Sequence, residues 1–223
     1  MSSTQAPSRP AVEALVRSTL LRQIGREVRK EAAPTLVVNS SARHMHISPE
    51  NLETLFGPGS KLTVHKWLYQ EGQFASEQTV TLIGPRRRVI PNLRILGPCR
   101  NLTQIELAIT DAIQLGVDLP VKMSGDITGT PGGYVMGPKG MLEMKDGLIR
   151  AARHVHMSPA DATFYGVKHL DRITLKVTSS ACNTRFDDLI VRVDPSFKLE
   201  VHMDTDEANA CDLERATKVE LFK

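Results

Sequence analysis

One short element occurs twice in this 223-residue chain and limits what the chain can fold into. The segment SARHMHISPENL begins at Ser41, and the related segment AARHVHMSPADA begins at Ala151. Each is typical of a strand with a His-x-His pair, followed by a serine cap, a proline at the first helical position and a short helix. Gly57 and Gly166 are placed to end the two helices. The sequence therefore predicts a duplicated strand-and-helix unit that carries four of the seven histidines.

The spacing of the histidines indicates metal binding. Residues two apart in a strand share one face, so both imidazoles of a pair converge on one ion. The two pairs are His44 with His46 and His154 with His156. Two nitrogens are too few for a zinc site, so each pair needs a third ligand, and an open fourth position then permits catalysis. In KLEVHMD the strand alternation presents His202 away from the apolar face, which makes it a candidate third ligand for the second pair.

A second informative segment is LGPCRNLTQIELAITDAIQLG, which indicates a helix and an anion-binding site. Apolar residues recur at helical spacing over 105–115, and Thr103 with Glu106 forms the pattern of a capping box. We therefore expect a helix that begins after Thr103. Because Arg100 precedes it, free backbone N–H groups and a guanidinium would both face an anion there.

The rest of the chain after residue 34 is mainly short strands bounded by turn residues, which favours compact barrels or sandwiches. Aromatic residues make up 4% and the formal net charge is +3, so nucleic-acid binding is not expected. No apolar run approaches the roughly 18 residues of a membrane span. Three scattered cysteines provide neither a disulfide framework nor a CxxC zinc motif, and they favour a reducing cytoplasm.

The first 33 residues differ from the remainder. Within AVEALVRSTLLRQIGREVRK, apolar residues recur every three or four positions and arginines take the other faces, as in an amphipathic helix. EAAPT then reads as a short linker. Two interpretations stay open: the helix packs on its own domain, or it is detachable and docks on a partner.

Five separated motifs together resemble a known family. SARHMHIS, ILGPCRNLTQIE, SGDITGT, ARHVHMSPADA and VHMDTDEANA occur in the order found in PduL-type phosphate propanoyltransferases (phosphotransacylases) of bacterial microcompartments. The resemblance covers nearly all of residues 35–213. It implies two zinc ions, one held by His44, His46 and Glu106 and the other by His154, His156 and His202, with Arg100 binding phosphate.

The resemblance also implies a fold and a reaction. The expected fold is mainly β with short α-helices (α+β), with two small β-barrel domains and the active site at their interface. Residues 34–43 plus 152–223 would form one barrel and residues 44–151 the other, after a targeting extension and linker at 1–33. The implied reaction converts acyl-CoA, propanoyl-CoA or a similar short chain, and phosphate reversibly into acyl phosphate and coenzyme A.

The implied partners and location follow from the same resemblance. The N-terminal helix would bind microcompartment shell or cargo proteins and direct the enzyme to the microcompartment lumen in the bacterial cytoplasm. A homo-oligomer is expected. The chain departs from the usual Pro-x-Gly-x-Ser-Ala-Arg of the family at Val37 and Asn39, so coenzyme A contacts are not assigned to that segment.

Two other functions compete with this interpretation. A cupin-like metal-dependent oxygenase or isomerase is one, because Glu50 follows the first His-x-His pair as in a cupin motif. Against it, Ser48 and Pro49 start a helix where a cupin continues as strand. The other is a non-catalytic, zinc-stabilised scaffold protein of the microcompartment. For Arg43 and Arg153, which precede the pairs, we expect packing or bridging roles.

Overall fold

The structure, a computed structural model, describes residues 33–223 together with positions 13, 16 and 19. Within these residues there are fifteen strands and four short α-helices, so the predicted mainly-β α+β class is confirmed. The predicted N-terminal helix otherwise lies outside the described residues. In the part of the chain that is described, no helix combines the length and the apolar character needed to cross a bilayer.

The strands are, in chain order, β1 Val37–Ser41, β2 His44–His46, β3 Val64–Trp67, β4 Phe74–Ile83, β5 Val89–Gly97, β6 Gln104–Glu106, β7 Val121–Lys122, β8 Gly133–Met136, β9 Met141–Met144, β10 Leu148–Ala151, β11 His154–Met157, β12 Arg172–Ser179, β13 Thr184–Val193, β14 Glu200–Asp204 and β15 Ala216–Phe222. The helices are α1 Pro49–Phe56, α2 Ile109–Leu115, α3 Pro159–Tyr165 and α4 Thr205–Ala210, followed by a 3-10 turn at Leu213–Arg215.

The strands form two curled, half-barrel sheets. The six-stranded sheet has the order β1-β14-β11-β13-β12-β15, so the first strand of the chain joins a sheet otherwise built from its last third. Strand β14 runs parallel to β1 and antiparallel to β11. Apolar residues of the concave core, among them Val155, Val191 and Val201, are completely buried. Strand β11 with its histidines therefore lies at the centre of a well-packed sheet.

The nine-stranded sheet places the first histidine pair in an equivalent position. Its order is β7-β10-β6-β2-β5-β4-β8-β9, with β3 paired to β4 outside this path. Strand β2 lies between β5 and β6, and Met45 points from it into a separate core that includes Ile105 and Leu148. Residues 36–223 nonetheless form one compact unit. The division into two closed barrel domains stays a prediction.

The duplicated unit folds as its sequence predicts. The Ser48 hydroxyl accepts a hydrogen bond from the Asn51 backbone N–H at the start of α1, and the Ser158 hydroxyl accepts one from Asp161 at the start of α3. In both helices proline occupies the first turn. These caps satisfy N–H groups that lack partners inside the helix.

The predicted capping box at Thr103 and Glu106 is wrong. Residues 104–106 form β6, which pairs with both β2 and β10, and α2 begins only at Ile109. There Asp111 accepts a hydrogen bond from the Ala108 N–H. Because residues 104–106 pair with strands on both sides, they form more backbone hydrogen bonds than they would at the start of a helix. The local sequence pattern does not show this pairing, since the partner strands are distant in the chain. No helix begins directly after Arg100, so free helical N–H groups do not contribute to an anion site beside it.

Polar contacts join the two sheets. Arg150 of β10 forms an ion pair of 2.6 Å with Asp204 at the end of β14. The Gln70 side chain, in the loop between β3 and β4, donates to the backbone carbonyl of Lys198 and accepts from its N–H. These contacts hold the two histidine-bearing strands in a common unit.

Candidate active site

The first group of metal-ligand side chains comes from adjacent antiparallel strands. His44 of β2 lies directly opposite Glu106 of β6. The Nε2 atoms of His44 and His46 are 3.2 Å apart, and Glu106 oxygens lie 3.6 Å and 3.7 Å from them. Ligand atoms around a tetrahedral zinc ion at about 2.0–2.2 Å are themselves about 3.3–3.6 Å apart. The three side chains therefore have the spacing of a metal site, and each is less than 10% exposed.

The second group repeats this arrangement with an imidazole in place of the carboxylate. His154 of β11 lies opposite His202 of β14, and His156 shares their face of the sheet. The three ring centroids are 4.7–4.9 Å apart. One nitrogen from each residue lies within 4.8 Å of the others. The geometry is that of three donors around one ion, more open than in the first group.

The same backbone contact orients the leading histidine of each pair. Nδ1 of His44 lies 2.8 Å from the Ala42 carbonyl oxygen, and Nδ1 of His154 lies 2.9 Å from that of Ala152. A carbonyl oxygen can only accept, so Nδ1 carries the proton in both rings. The Nε2 lone pair is therefore directed into each group, as metal-binding histidines require.

Several nitrogens in these groups have no hydrogen-bond partner among the described residues. They are Nδ1 of His46, both ring nitrogens of His156 and Nε2 of His202. His202 Nε2 lies 3.1 Å from Glu200 Oε2 but outside hydrogen-bonding geometry. Since buried polar atoms are nearly always partnered, the free nitrogens of His156 and His202 fit atoms that bind an ion.

Burial controls the protonation of the site. Burial, reinforced by the charge of His44, lowers the pKa of His46 to about 2. Burial and the neighbouring His202 likewise lower the pKa of His156 to about 2 and that of His154 to about 4. These imidazoles are neutral near pH 7 and keep lone pairs for a metal.

Glu106 is held in its charged form. Burial raises the pKa of this carboxyl, but the electrostatic interaction with the His44 and His46 rings and a hydrogen bond from Ser124 outweigh burial and hold the pKa below its usual range. An ionised carboxylate next to neutral imidazoles is an effective ligand set for a divalent cation.

Two arginines face this region without a carboxylate partner. Neither Arg100 nor Arg192 forms an ion pair with any described residue. Arg100 is exposed, yet enough protein surrounds its guanidinium that partial desolvation lowers its pKa, with Arg192 adding to the effect. The charge of Arg100 also lowers the pKa of both His46 and His156, so it acts on both groups. An arginine pair without a carboxylate partner is suited to an anion with several oxygens.

Arg192 is the site residue that sequence reasoning missed. It lies on β13 opposite His156 in a parallel pairing and is half-buried, with its guanidinium 6.0 Å from the Phe197 ring. Phe197 in turn stacks on the His156 imidazole with ring centroids 4.1 Å apart. The register of β11 with β13 places this arginine, and no local pattern predicts that register.

Most of the chain matches a known protein family. A family model described as phosphate propanoyltransferase matches residues 37–214. The chain belongs to the phosphate propanoyltransferase family. It is therefore an acyltransferase that acts with phosphate, and coenzyme A is implied as substrate or product of the family reaction.

Individual members of the family agree over nearly the whole chain. A phosphate propanoyltransferase of Planctopirus limnophila is 54% identical over 97% of this chain and 92% of its own length. The phosphate propanoyltransferase of Thermotoga maritima is 50% identical over 85% of this chain and 89% of its own length. That of Salmonella typhimurium is 43% identical over 88% of this chain and 90% of its own length. The chain thus spans the greater part of each relative.

The structure brings all the sequence-predicted site residues into one region of the phosphate propanoyltransferase fold. The six candidate ligands form the two groups described above, and Arg100 acts electrostatically on both. Arg43 instead forms a 2.8 Å ion pair with Asp111, and Arg153 lies 3.4 Å from Glu207. Burial raises the pKa of the Cys99 thiol, which does not favour a nucleophilic role.

Proposed function

We propose that this phosphate propanoyltransferase transfers a short acyl chain, propanoyl or similar, reversibly between coenzyme A and inorganic phosphate. An oxygen of hydrogen phosphate attacks the thioester carbonyl carbon, the carbon–sulfur bond breaks, and the thiolate leaves. The proton of hydrogen phosphate ends on the coenzyme A thiol, so acyl phosphate and free coenzyme A balance the equation. The observation that supports this most strongly is the convergence of two ligand groups and two arginines in a protein of this family.

Each ligand group fits one zinc ion. His44, His46 and Glu106 would hold one ion, and His154, His156 and His202 the other. The 3.2–3.7 Å spacing of the first group supports the first assignment, and the partnerless nitrogens of His156 and His202 support the second. When bound, zinc would supply positive charge that neutralises phosphate and polarises the thioester carbonyl. Three ligands per ion leave a position for a substrate atom.

Two arginines of the chain would bind phosphate and orient it toward the thioester. Arg100 and Arg192 hold the phosphate oxygens through charge-assisted hydrogen bonds and reduce the repulsion between phosphate and the anionic coenzyme. Holding both reactants in one orientation converts a bimolecular step into an effectively unimolecular one, which accounts for a large part of the rate gain over the uncatalysed reaction. The chemistry requires no covalent acyl-enzyme.

The competing functions are not favoured. The first His-x-His strand ends at His46, and Ser48 starts α1 through its cap, where a cupin continues as strand. A scaffold without catalysis disagrees with membership in an acyltransferase family.

Phosphate dependence of thiol release tests the reaction. Zinc-loaded protein is mixed with propanoyl-CoA with and without phosphate, and free thiol and acyl phosphate are measured together. We expect equimolar formation of both only when phosphate is present. Thiol release at the same rate without phosphate would contradict the proposed reaction. Absence of turnover by protein that contains two zinc ions would also contradict it.

His154→Ala tests the second ligand group. We expect loss of activity and of one zinc ion per chain with the circular dichroism spectrum retained, because one of three ligands is removed. His65→Ala is the matched control, since His65 is exposed and pairs with Glu77 away from both groups. Full activity of the His154 variant would contradict the assignment.

We also propose that residues 1–33 direct the enzyme to a bacterial microcompartment and that the enzyme forms a homo-oligomer. The family model begins at residue 37, whereas the match with the Planctopirus limnophila relative covers 97% of the chain and so includes most of the first 36 residues. An amphipathic segment outside the catalytic region suits a docking role.

Deleting residues 1–33 separates targeting from catalysis. We expect the kcat/KM for propanoyl-CoA to stay within about twofold of the full chain and co-sedimentation with assembled shells to be lost. Insoluble or inactive protein would show instead that the segment belongs to the catalytic fold.

A further inference from the structure

Hydrogen bonds to residues outside the two groups orient four of the six candidate ligands. The leading histidine of each pair bonds to a backbone carbonyl oxygen. Glu106 accepts from Gln104 Nε2 and from the Ser124 hydroxyl, both at 2.7 Å. Nδ1 of His202 lies 3.3 Å from the Ser41 hydroxyl oxygen. Outer contacts of this kind fix the direction in which a ligand offers its lone pair to a metal.

His46 and His156 have no such hydrogen bond among the described residues. Nδ1 of His46 and both ring nitrogens of His156 are without a partner there. His46 is 4% exposed, so the protein packed around it limits the rotation of its ring. His156 is only half-buried, and an ion would occupy just one of its two nitrogens. The rotation of the His156 ring therefore has to be fixed by a contact other than a hydrogen bond.

Phe197 provides that contact. Its ring stacks on the His156 imidazole, with centroids 4.1 Å apart and ring planes 28° apart. Rotation of the imidazole about its Cβ–Cγ bond would drive a ring edge into the phenyl face. In the part of the chain that the structure describes, no other candidate ligand has a ring contact with an aromatic residue outside its own group. The stack thus occurs at the half-buried ligand that lacks a hydrogen bond.

The loop that carries Phe197 is fixed at both ends. On one side, the Asp194 backbone N–H donates to the carbonyl oxygen of Met157, the last residue of β11, at 3.1 Å. The Phe197 N–H donates to the Asp194 carbonyl oxygen at 3.1 Å and closes a turn. On the other side, the Lys198 backbone exchanges two hydrogen bonds with the Gln70 side chain. The position of the phenyl ring relative to β11 is therefore defined by the backbone.

We infer that Phe197 is a positioning residue of the proposed second zinc site, whose ring holds the His156 imidazole in the orientation that directs one nitrogen at the ion. The stack takes the place of the outer hydrogen bond that four other candidate ligands have. Aromatic pairs contribute a factor of roughly 2 to 12 to an equilibrium beyond the area they bury. The inference rests on the proposed metal sites.

Zinc affinity, measured without phosphate or coenzyme A, tests the role of the ring. Metal-free full-length protein is titrated with zinc against a chromophoric chelator. We expect Phe197→Ala to weaken one of the two binding steps roughly tenfold and to leave the other unchanged, because both the stack and its buried area are lost. Phe197→Leu keeps apolar volume without a flat ring and should weaken the same step. Phe197→Tyr keeps the ring and should bind within about twofold of the wild type.

Two further variants separate positioning from general stability. Phe164→Ala is the matched control, since Phe164 lies on α3, is partly exposed and contacts Tyr165 rather than a ligand, so both affinities should stay unchanged. Asp194→Ala keeps the phenyl ring but loosens its loop, because the Asp194 carboxylate accepts from the backbone N–H and the hydroxyl of Ser196. It should weaken the same binding step as Phe197→Ala by a smaller factor.

Cobalt in place of zinc reports the geometry of the affected site. We expect its absorption bands to change at one site in the alanine and leucine variants of Phe197 and to match the wild type in the tyrosine variant. Wild-type affinity in Phe197→Leu, or a tyrosine variant that binds as weakly as the alanine variant, overturns the inference. If Phe197→Ala does not fold, Phe197→Leu and Asp194→Ala decide the question. Wild-type protein that binds fewer than two zinc ions overturns the metal sites themselves.

Discussion

At the scale of single residues, the role of each side chain in the site depends on the residue that its strand places opposite it. A His-x-His pair is visible because two ligands lie two positions apart in one strand. Arg192 and Gln104 become meaningful only through pairing with His156 and His46 on other strands. Only the family resemblance indicates that Glu106 is a metal ligand, because the local sequence pattern around it indicates a helix cap.

Arg192→Ala is expected to raise the KM for phosphate. Losing one charge-assisted contact of about 1.5–3 kcal/mol corresponds to roughly a 10- to 150-fold change, while the KM for propanoyl-CoA should change less. Arg185→Ala is the control, since Arg185 lies on the same strand, is exposed and pairs with Asp187. An unchanged phosphate KM would exclude Arg192 from the anion site.

At the scale of elements, strands and capped helices were predicted wherever local chemistry decides them. The Ser-Pro starts of α1 and α3 and the stops at Gly57 and Gly166 match the sequence pattern. Strand β6 was missed because Gln104 and Glu106 take their conformation from neighbours on both sides rather than from their own propensity. Non-local pairing is the general reason for such a failure.

Ser158→Ala is expected to reduce the free energy of unfolding by about 1 kcal/mol, because the Asp161 backbone N–H loses its acceptor. Urea unfolding of metal-free protein measures the effect. Ser180→Ala changes an exposed serine in a loop and should alter stability by less than about 0.5 kcal/mol. Equal losses in both variants would show that the cap contributes nothing specific.

At the scale of the whole molecule, the buried imidazoles make metal-free protein sensitive to acid. The pKa values of His46, His154 and His156 are lowered from 6.5 to between about 2 and about 4. Between these values and 6.5 the unfolded chain binds more protons than the native chain, so stability rises with pH. The stabilising contribution is complete above pH 6.5 and is lost progressively as the pH falls below it.

Urea midpoints of chelator-treated protein at pH 7.5, 6 and 5 check this behaviour. We expect the midpoint to fall steadily from pH 7.5 to 5, and to fall less in His154→Asn/His156→Asn, which lacks two of the titrating groups. Zinc-loaded protein should resist acid further, because metal and protons compete for the same nitrogens. A midpoint independent of pH would contradict burial of these rings in the native state.

The membership of β1 in the far sheet has a consequence for the order of synthesis. A ribosome releases residues 37–41 long before β14, their pairing partner at 200–204. The nine-stranded sheet needs only residues 44–151 and can assemble while synthesis continues. Until the C-terminal residues emerge, β1 has an open hydrogen-bonding edge, which invites pairing with other chains. A circular permutant that begins at residue 42, between β1 and β2, and carries β1 behind β15 would shorten that exposure and should give a higher soluble yield at elevated temperature.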